Sequence, residues 1–143
     1  MIRIHRVCSV EEELLAAFER LLPQLTQASI PTAEELRALL DSGSVLLAAI
    51  ENGQIVGLGC LCVFRSPSGL HAHIEDVVVE ESQRGKGIGE ALVLGLVEEG
   101  RRLGLKGISL TCNPRREAAN RLYGRLGFKQ WQTNNYWLEL GGD

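Results

Sequence analysis

The sequence predicts an α+β fold, a central mixed and mostly antiparallel sheet of six to seven strands flanked by about four helices. Three observations carry that expectation. Apolar residues switch repeatedly between period-two and helical spacing. Asn52-Gly53 joins two long apolar runs in the way a two-residue hairpin turn does. A third apolar run then leads into Arg84-Gly85-Lys86-Gly87-Ile88-Gly89, with a helical pattern directly behind it. With 143 residues, 45% of them hydrophobic and 23% charged, the chain fits one domain over residues 1–143.

Each element has its own local signal. Residues 2–7 alternate like a strand, and Ser9 with Glu12 has the spacing of a capping box. Leu14, Leu15, Phe18, Leu21 and Leu22 keep helical spacing behind Glu11 to Glu13, and Pro23 discourages continuation. Thr32 with Glu35 signals a second, shorter helix that stops near Ser42-Gly43. Residues 45–51 and 54–64 form the hairpin around Asn52-Gly53, and residues 71–80 follow a Ser66-Pro67-Ser68-Gly69 turn as a central strand. Residues 88–103 form a long helix, apolar around most of its circumference, ended by Gly104. Residues 106–112 read as a strand, and Asn113-Pro114 opens a helix whose stripe is Ala118, Ala119, Leu122, Tyr123 and Leu126. Residues 128–131 and 136–140 close the sheet as its last strands.

Composition excludes several functions. A net charge of -3 leaves no broad basic field, so a nucleic-acid partner is not expected. Residues 1–6 carry no apolar leader and no run is long enough to span a bilayer, so the expected location is cytoplasmic, without a membrane partner. Cys8, Cys60, Cys62 and Cys112 match neither a CxxC metal knuckle nor a secreted disulfide framework and read as buried reduced thiols.

The glycine loop carries the chemistry. A strand, a glycine-rich turn and a helix start aim several backbone N–H groups and the positive end of a helix dipole at one spot, which suits an anion. Glycine permits positive φ there and close approach of phosphate oxygens. A nucleotide P-loop needs Ser or Thr after Gly-Lys, whereas Gly87 follows Lys86. The GxGxxG dinucleotide pattern is broken as well, since Gly85, Gly87 and Gly89 alternate.

The pattern Arg84-x-x-Gly87-x-Gly89 after Ile74-Glu75-Asp76-Val77-Val78-Val79, with Leu122-Tyr123-Gly124-Arg125-Leu126-Gly127-Phe128 later, resembles the GNAT family of N-acetyltransferases. The resemblance covers the chain in element order. It implies that the N–H groups of Arg84, Gly85, Lys86, Gly87, Ile88 and Gly89 hold the pyrophosphate of acetyl-CoA as cosubstrate. It also implies that the backbone of Val77, Val78 and Val79 pairs with pantetheine like an added strand. The segment 73–79 resembles glucosamine-6-phosphate acetyltransferases, and Asn113-x-x-Arg116-x-x-Ala119-x-Arg121-x-Tyr123 resembles aminoalkylphosphonate acetyltransferases. Many family members have Asn where this chain has Arg116, so Asn113 or Asn120 is the expected substitute for that pantetheine contact.

Direct acetyl transfer requires a neutral amine, hence a base or a water chain to one. Glu75, just before the pantetheine-pairing stretch, is the candidate base, and partial burial of a carboxylate would suit that role. Asp76 is a secondary candidate that a bulge would re-aim. Tyr123 corresponds to the family tyrosine and is the candidate acid for the departing thiolate. His73 is expected to contact the amine substrate. His71, His73 and Glu75 share a strand face, but no metal is expected. The acceptor is a small-molecule or peptide amine, contacted by loops near residues 23–30 and 66–70. A silent acyl-CoA sensor is the rival reading. The final strands offer a homodimer surface, and the sequence leaves monomer and dimer open.

Overall fold

The structure is a computed structural model and describes residues 1–141. The chain divides into two compact units, Met1–Leu110 and Thr111–Asp143. The first unit holds a four-stranded antiparallel sheet in the order β1(Arg3–Arg6), β2(Val45–Glu51), β3(Gln54–Ser66), β4(Gly69–Val79). Its helices are α1(Glu12–Leu21), α2(Ala33–Asp41) and α3(Ile88–Arg102), with α4(Glu117–Arg125) in the second unit.

Local signals account for most boundaries. Thr32 Oγ1 accepts from Glu35 N–H at 3.1 Å while Glu35 Oε1 accepts from Thr32 N–H at 2.9 Å, so the capping box of α2 forms as spaced. Asn52 and Gly53 both take positive φ, 51° and 77°, the combination that a hairpin turn matched to strand twist requires. Helix α1 departs from expectation. Its N-cap is Glu11, without a side-chain cap, and Ser9 Oγ bonds Glu11 Oε1 at 2.9 Å. The helix therefore starts after Glu11 rather than after Ser9, because the serine hydroxyl is engaged by the nearer carboxylate.

One face of the sheet packs against α1 and α2. Val7, Leu14, Ala17, Phe18, Leu21, Leu36, Leu46, Leu58, Cys60 and Val78 form that core. The opposite face packs against α3 through small residues. A Cβ on Gly57 would lie 3.0 Å from Leu92 Cδ1, one on Gly59 3.3 Å from Leu96 Cδ1, and one on Gly95 2.8 Å from Leu47 Cδ1. Glycine at these three positions lets helix and sheet approach to a distance no other residue permits without displacement. Helix α3 buries Ile88, Leu92, Val93 and Leu96, whereas Leu94 is exposed, so its apolar character is not matched by burial all round.

The six to seven strands expected are corrected to four in the sheet. Residues 106–112 reach β4 through a single parallel bridge, His73 with Ser109, in which Ile74 N–H bonds Ser109 O at 2.9 Å and Ser109 N–H bonds Ala72 O at 3.1 Å. The ladder stops there because β4 bulges immediately afterwards. Register passes from Leu58↔Val78 to Cys60↔Glu75, leaving Asp76 and Val77 opposite Gly59, and Asp76 adopts φ 53°. Residues 128–131 and 136–140 form no ladder among the described residues. Alternating apolar side chains create strand propensity, but a strand also needs a partner edge for its N–H and C=O groups.

The second unit contains α4 and the extended chain after it. Asn113 Oδ1 accepts from Arg115 N–H at 2.9 Å, a turn that delays the helix to Glu117. Gly127, at φ 99°, ends it as expected.

Candidate active site

The site in the first unit is built on the end of β4 and the start of α3. Glu80 N–H bonds Val56 O at 2.8 Å, and Val78 pairs with Leu58. Because peptide groups alternate sides along a strand, those of Val77 and Val79 point away from β3, and Arg84 Nε reaches Val79 O on that outer side at 3.0 Å. Of the three valines, Val78 has its main chain toward β3 and its side chain in the core. Past Ile74, no further bridge joins β4 to residues 106–110 among the described residues.

A short 3-10 turn over Glu81–Gln83 then leads into the glycine loop. Gly85 and Gly87 have φ of 82° and 83°, and a Cβ on either would meet nothing within 4 Å. Their need for glycine is thus conformational. Gly89 is helical, and a Cβ there would make ordinary contact with Val79 Cγ2 at 3.7 Å. Gly87 is the left-handed N-cap of α3, whose ladder opens with Ala91 N–H to Gly87 O at 3.0 Å. The N–H groups of Ile88 and Gly89 belong to the first turn, where helix geometry supplies no acceptor. Lys86 Nζ bonds Gln83 Oε1 at 2.8 Å. N–H groups without a helical acceptor at the start of α3 are what an anionic group requires of such a loop.

Glu75 and Asp76 are both exposed, so the partial burial expected of Glu75 is not found. Carrying the extra residue of the bulge on β4 leaves both carboxylates uncovered. Glu75 lies opposite Cys60 and His73 opposite Cys62, so these four side chains share the face covered elsewhere by α1 and α2. His73 Nδ1 and Ser109 Oγ are 2.7 Å apart, and the His73 ring stacks on Phe64 with centroids 5.2 Å apart. His71 stacks on the same ring at 5.4 Å. Among the described residues, no group of three or more His, Cys, Asp or Glu is close enough to hold a metal ion.

Only Cys60 of the four cysteines is buried; Cys8 is exposed, and Cys62 and Cys112 are intermediate. The expectation of four buried thiols is corrected, since Cys8 sits on the connection after β1 and faces no core layer.

In the second unit, Tyr123 is partly buried and packs edge-on against Phe128 with centroids 5.8 Å apart. Burial first, and then the neighbouring Cys112, push its hydroxyl above the ordinary tyrosine value. It is a protonated donor at neutral pH. Asn120 Nδ2 donates to Asn113 O at 3.0 Å and to Arg116 O at 2.8 Å, so its amide nitrogen holds the start of α4.

Sequence reasoning missed one cluster. Gln24 Nε2 bonds Glu80 Oε2 at 3.1 Å, Gln24 Oε1 accepts from Glu81 N–H at 2.9 Å, and Arg20 Nε lies 3.8 Å from Glu80 Oε2. These contacts tie the end of α1 to the segment that enters the glycine loop. No local pattern announces them, because the partners are 56 and 57 residues apart.

Comparison with known proteins agrees with this geometry. Residues 8–128 match the model of the acetyltransferase (GNAT) family. A probable glucosamine 6-phosphate N-acetyltransferase of Oryza sativa subsp. japonica is 35% identical over 140 residues, covering 85% of this chain and 82% of the relative. An aminoalkylphosphonate N-acetyltransferase of Salmonella typhimurium is 33% identical, covering 64% of this chain and 61% of the relative. The crystal structure of a Trypanosoma brucei acetyltransferase superposes with a TM-score of 0.78 at 30% identity, covering 98% of this chain and 100% of the other. With the family model matched across most of the chain and relatives covered nearly end to end, the chain belongs to the GNAT family as an acetyl-CoA-dependent N-acetyltransferase.

Proposed function

We propose that the chain acetylates the primary amine of a small molecule by direct attack in a ternary complex with acetyl-CoA. The observation that carries this reading is the bulge at Asp76, after which Val77 and Val79 turn their peptide groups to an outer edge leading into the glycine loop. Val77 and Val79 pair with pantetheine as strand partners. The N–H groups from Arg84 to Gly89 hold the pyrophosphate at the positive end of α3. Asn113 or Asn120 supplies a further pantetheine contact.

Glu75 takes the proton of the incoming amine, directly or through one water, with Asp76 and His73 lining the acceptor side. The amine nitrogen then bonds to the thioester carbonyl carbon. A backbone N–H of β4 polarises that carbonyl. As the tetrahedral intermediate collapses the carbon–sulfur bond breaks, and the Tyr123 hydroxyl protonates the thiolate.

The relatives named for glucosamine 6-phosphate and aminoalkylphosphonate support a small amine over a peptide. No helix is long and apolar enough to cross a membrane among the described residues, and we assign the reaction to the cytoplasm. The test is acetyl-CoA-dependent thiol release across a panel of small primary amines, including amino sugars and aminophosphonates. Turnover with at least one amine is expected, falling by an order of magnitude or more in Glu75→Gln, in line with loss of a positioned base. Undiminished turnover in Glu75→Gln removes Glu75 as the base.

A further inference from the structure

Cys60 and Cys62 lie two residues apart on β3, on the face that also carries Glu75 and His73. Their sulfur atoms are 3.6 Å apart. Cys60 is 5% exposed and Cys62, packed against the edge of the same core, is only partly buried. The hydrogen bond between the thiols favours ionisation of Cys62 and disfavours that of Cys60, whose burial adds to the effect.

The strand backbone decides what this pair can do. Same-face positions on a strand are separated by about 6 to 7 Å. A disulfide needs Cβ atoms about 3.5 to 4.5 Å apart, so direct sulfur–sulfur bonding would require β3 to buckle opposite Glu75. One atom held by both sulfurs requires no such movement. Two bonds of about 2.3 Å, the length of a metal–thiolate bond, at the angle of roughly 95° of a pyramidal three-coordinate centre set the sulfurs about 3.4 Å apart, close to the 3.6 Å already present. Because no cluster of three or more metal-ligating side chains exists among the described residues, the captured centre must bring its own remaining substituent.

We propose that Cys60 and Cys62 form a two-thiolate site for a monosubstituted trivalent arsenical, a soft centre with two exchangeable positions and one carbon substituent. Cys62, the less buried of the two thiols, attacks first. Two arsenic–sulfur bonds form and two arsenic–oxygen bonds break. The two hydroxyl groups leave as water with the protons of the thiols. Arsenic remains trivalent, and no oxidant or reductant takes part. The carbon substituent is carried on the β3–β4 face beside Glu75, where it obstructs the acceptor.

The test uses phenylarsine oxide with the full chain. Intact mass is expected to show one adduct per chain, with two of the four thiols protected and mapped to Cys60 and Cys62. A dithiol should remove it. Cys62→Ser should abolish the adduct, and because Cys62 is only partly buried this variant is expected to keep its melting temperature; Cys60→Ser gives the same loss if it folds. A Cys8→Ser, Cys112→Ser double variant should retain the adduct. An adduct that survives Cys62→Ser, or protection that maps to Cys8 or Cys112, overturns the site. The mapped adduct should also block amine acetylation while leaving thermal stabilisation by acetyl-CoA intact. That arm rests on the amine lying beside Glu75. Full turnover by a correctly mapped adduct overturns the acceptor placement and leaves the dithiol chelate standing.

Discussion

Two residues show how backbone and burial set chemical roles. Asp76 occupies the left-handed region at φ 53°, a conformation that costs a non-glycine residue roughly 1 to 2 kcal/mol and that Asp tolerates better than most. The bulge it creates leaves Glu75 opposite Cys60 and turns the following main chain of Val77 outward. Tyr123 is tuned by burial. Its folded value lies above the ordinary 10.0, so it remains protonated throughout neutral pH. The same shift has a stability consequence. With the folded value raised above the unfolded one, its contribution is present below about pH 10 and is lost as pH rises through the folded value. Tyr123→Phe is expected to retain acetyl-CoA affinity and lower kcat at least several-fold, with any alkaline limb due to this hydroxyl lying above 10.0 in the parent enzyme. A pH profile of kcat for both proteins checks this, and equal profiles remove Tyr123 from the mechanism.

At the scale of elements, the glycine loop is held at both ends. Gly87 caps α3 in the left-handed conformation, and Gln24 ties α1 to Glu80 and Glu81 just before the loop. The Gln24 amide makes one bond to a carboxylate and one to a backbone N–H, worth about 1 to 3 kcal/mol together. Gln24→Ala should weaken acetyl-CoA binding several-fold while the melting temperature moves by only a few degrees. Calorimetric titration with acetyl-CoA reads the first effect and thermal unfolding the second. Unchanged affinity would show that the clamp shapes only α1. Helix α2 behaves differently, since its Thr32–Glu35 box closes within one turn and does not depend on the site. Glu35 is held below the ordinary carboxylate value by the Thr32 backbone and hydroxyl, so this cap weakens as acid protonates it.

For the whole molecule, ligand linkage offers the simplest check. A ligand that binds only the folded chain stabilises it by about 2.7 kcal/mol at a hundredfold excess over Kd. Acetyl-CoA should therefore raise the melting temperature by several degrees, and Gly87→Val, which strains a positive-φ position in the cradle, should abolish most of that rise. A full rise in Gly87→Val would mean that the loop does not carry the pyrophosphate.

Elements whose signals are local were legible. The Thr32–Glu35 box, the Asn52-Gly53 turn and the Gly104 and Gly127 helix ends each depend on groups within a few residues of one another. The glycine loop was legible for the same reason, because strand, turn and helix start are contiguous. What only the tertiary structure decided involves partners distant in sequence. The Gln24 clamp, the shared face of Cys60 and Glu75, and the close packing of Gly57, Gly59 and Gly95 against their neighbours all arise from pairing across the fold. Strand count belongs to this second class. Residues 106–112, 128–131 and 136–140 have strand-like side chains, yet a ladder needs an available edge, and the bulge at Asp76 follows directly on the single β-bridge that residues 106–112 make with β4. Local hydrogen-bond geometry is written in neighbouring residues, whereas the availability of a partner edge is a property of the assembled sheet.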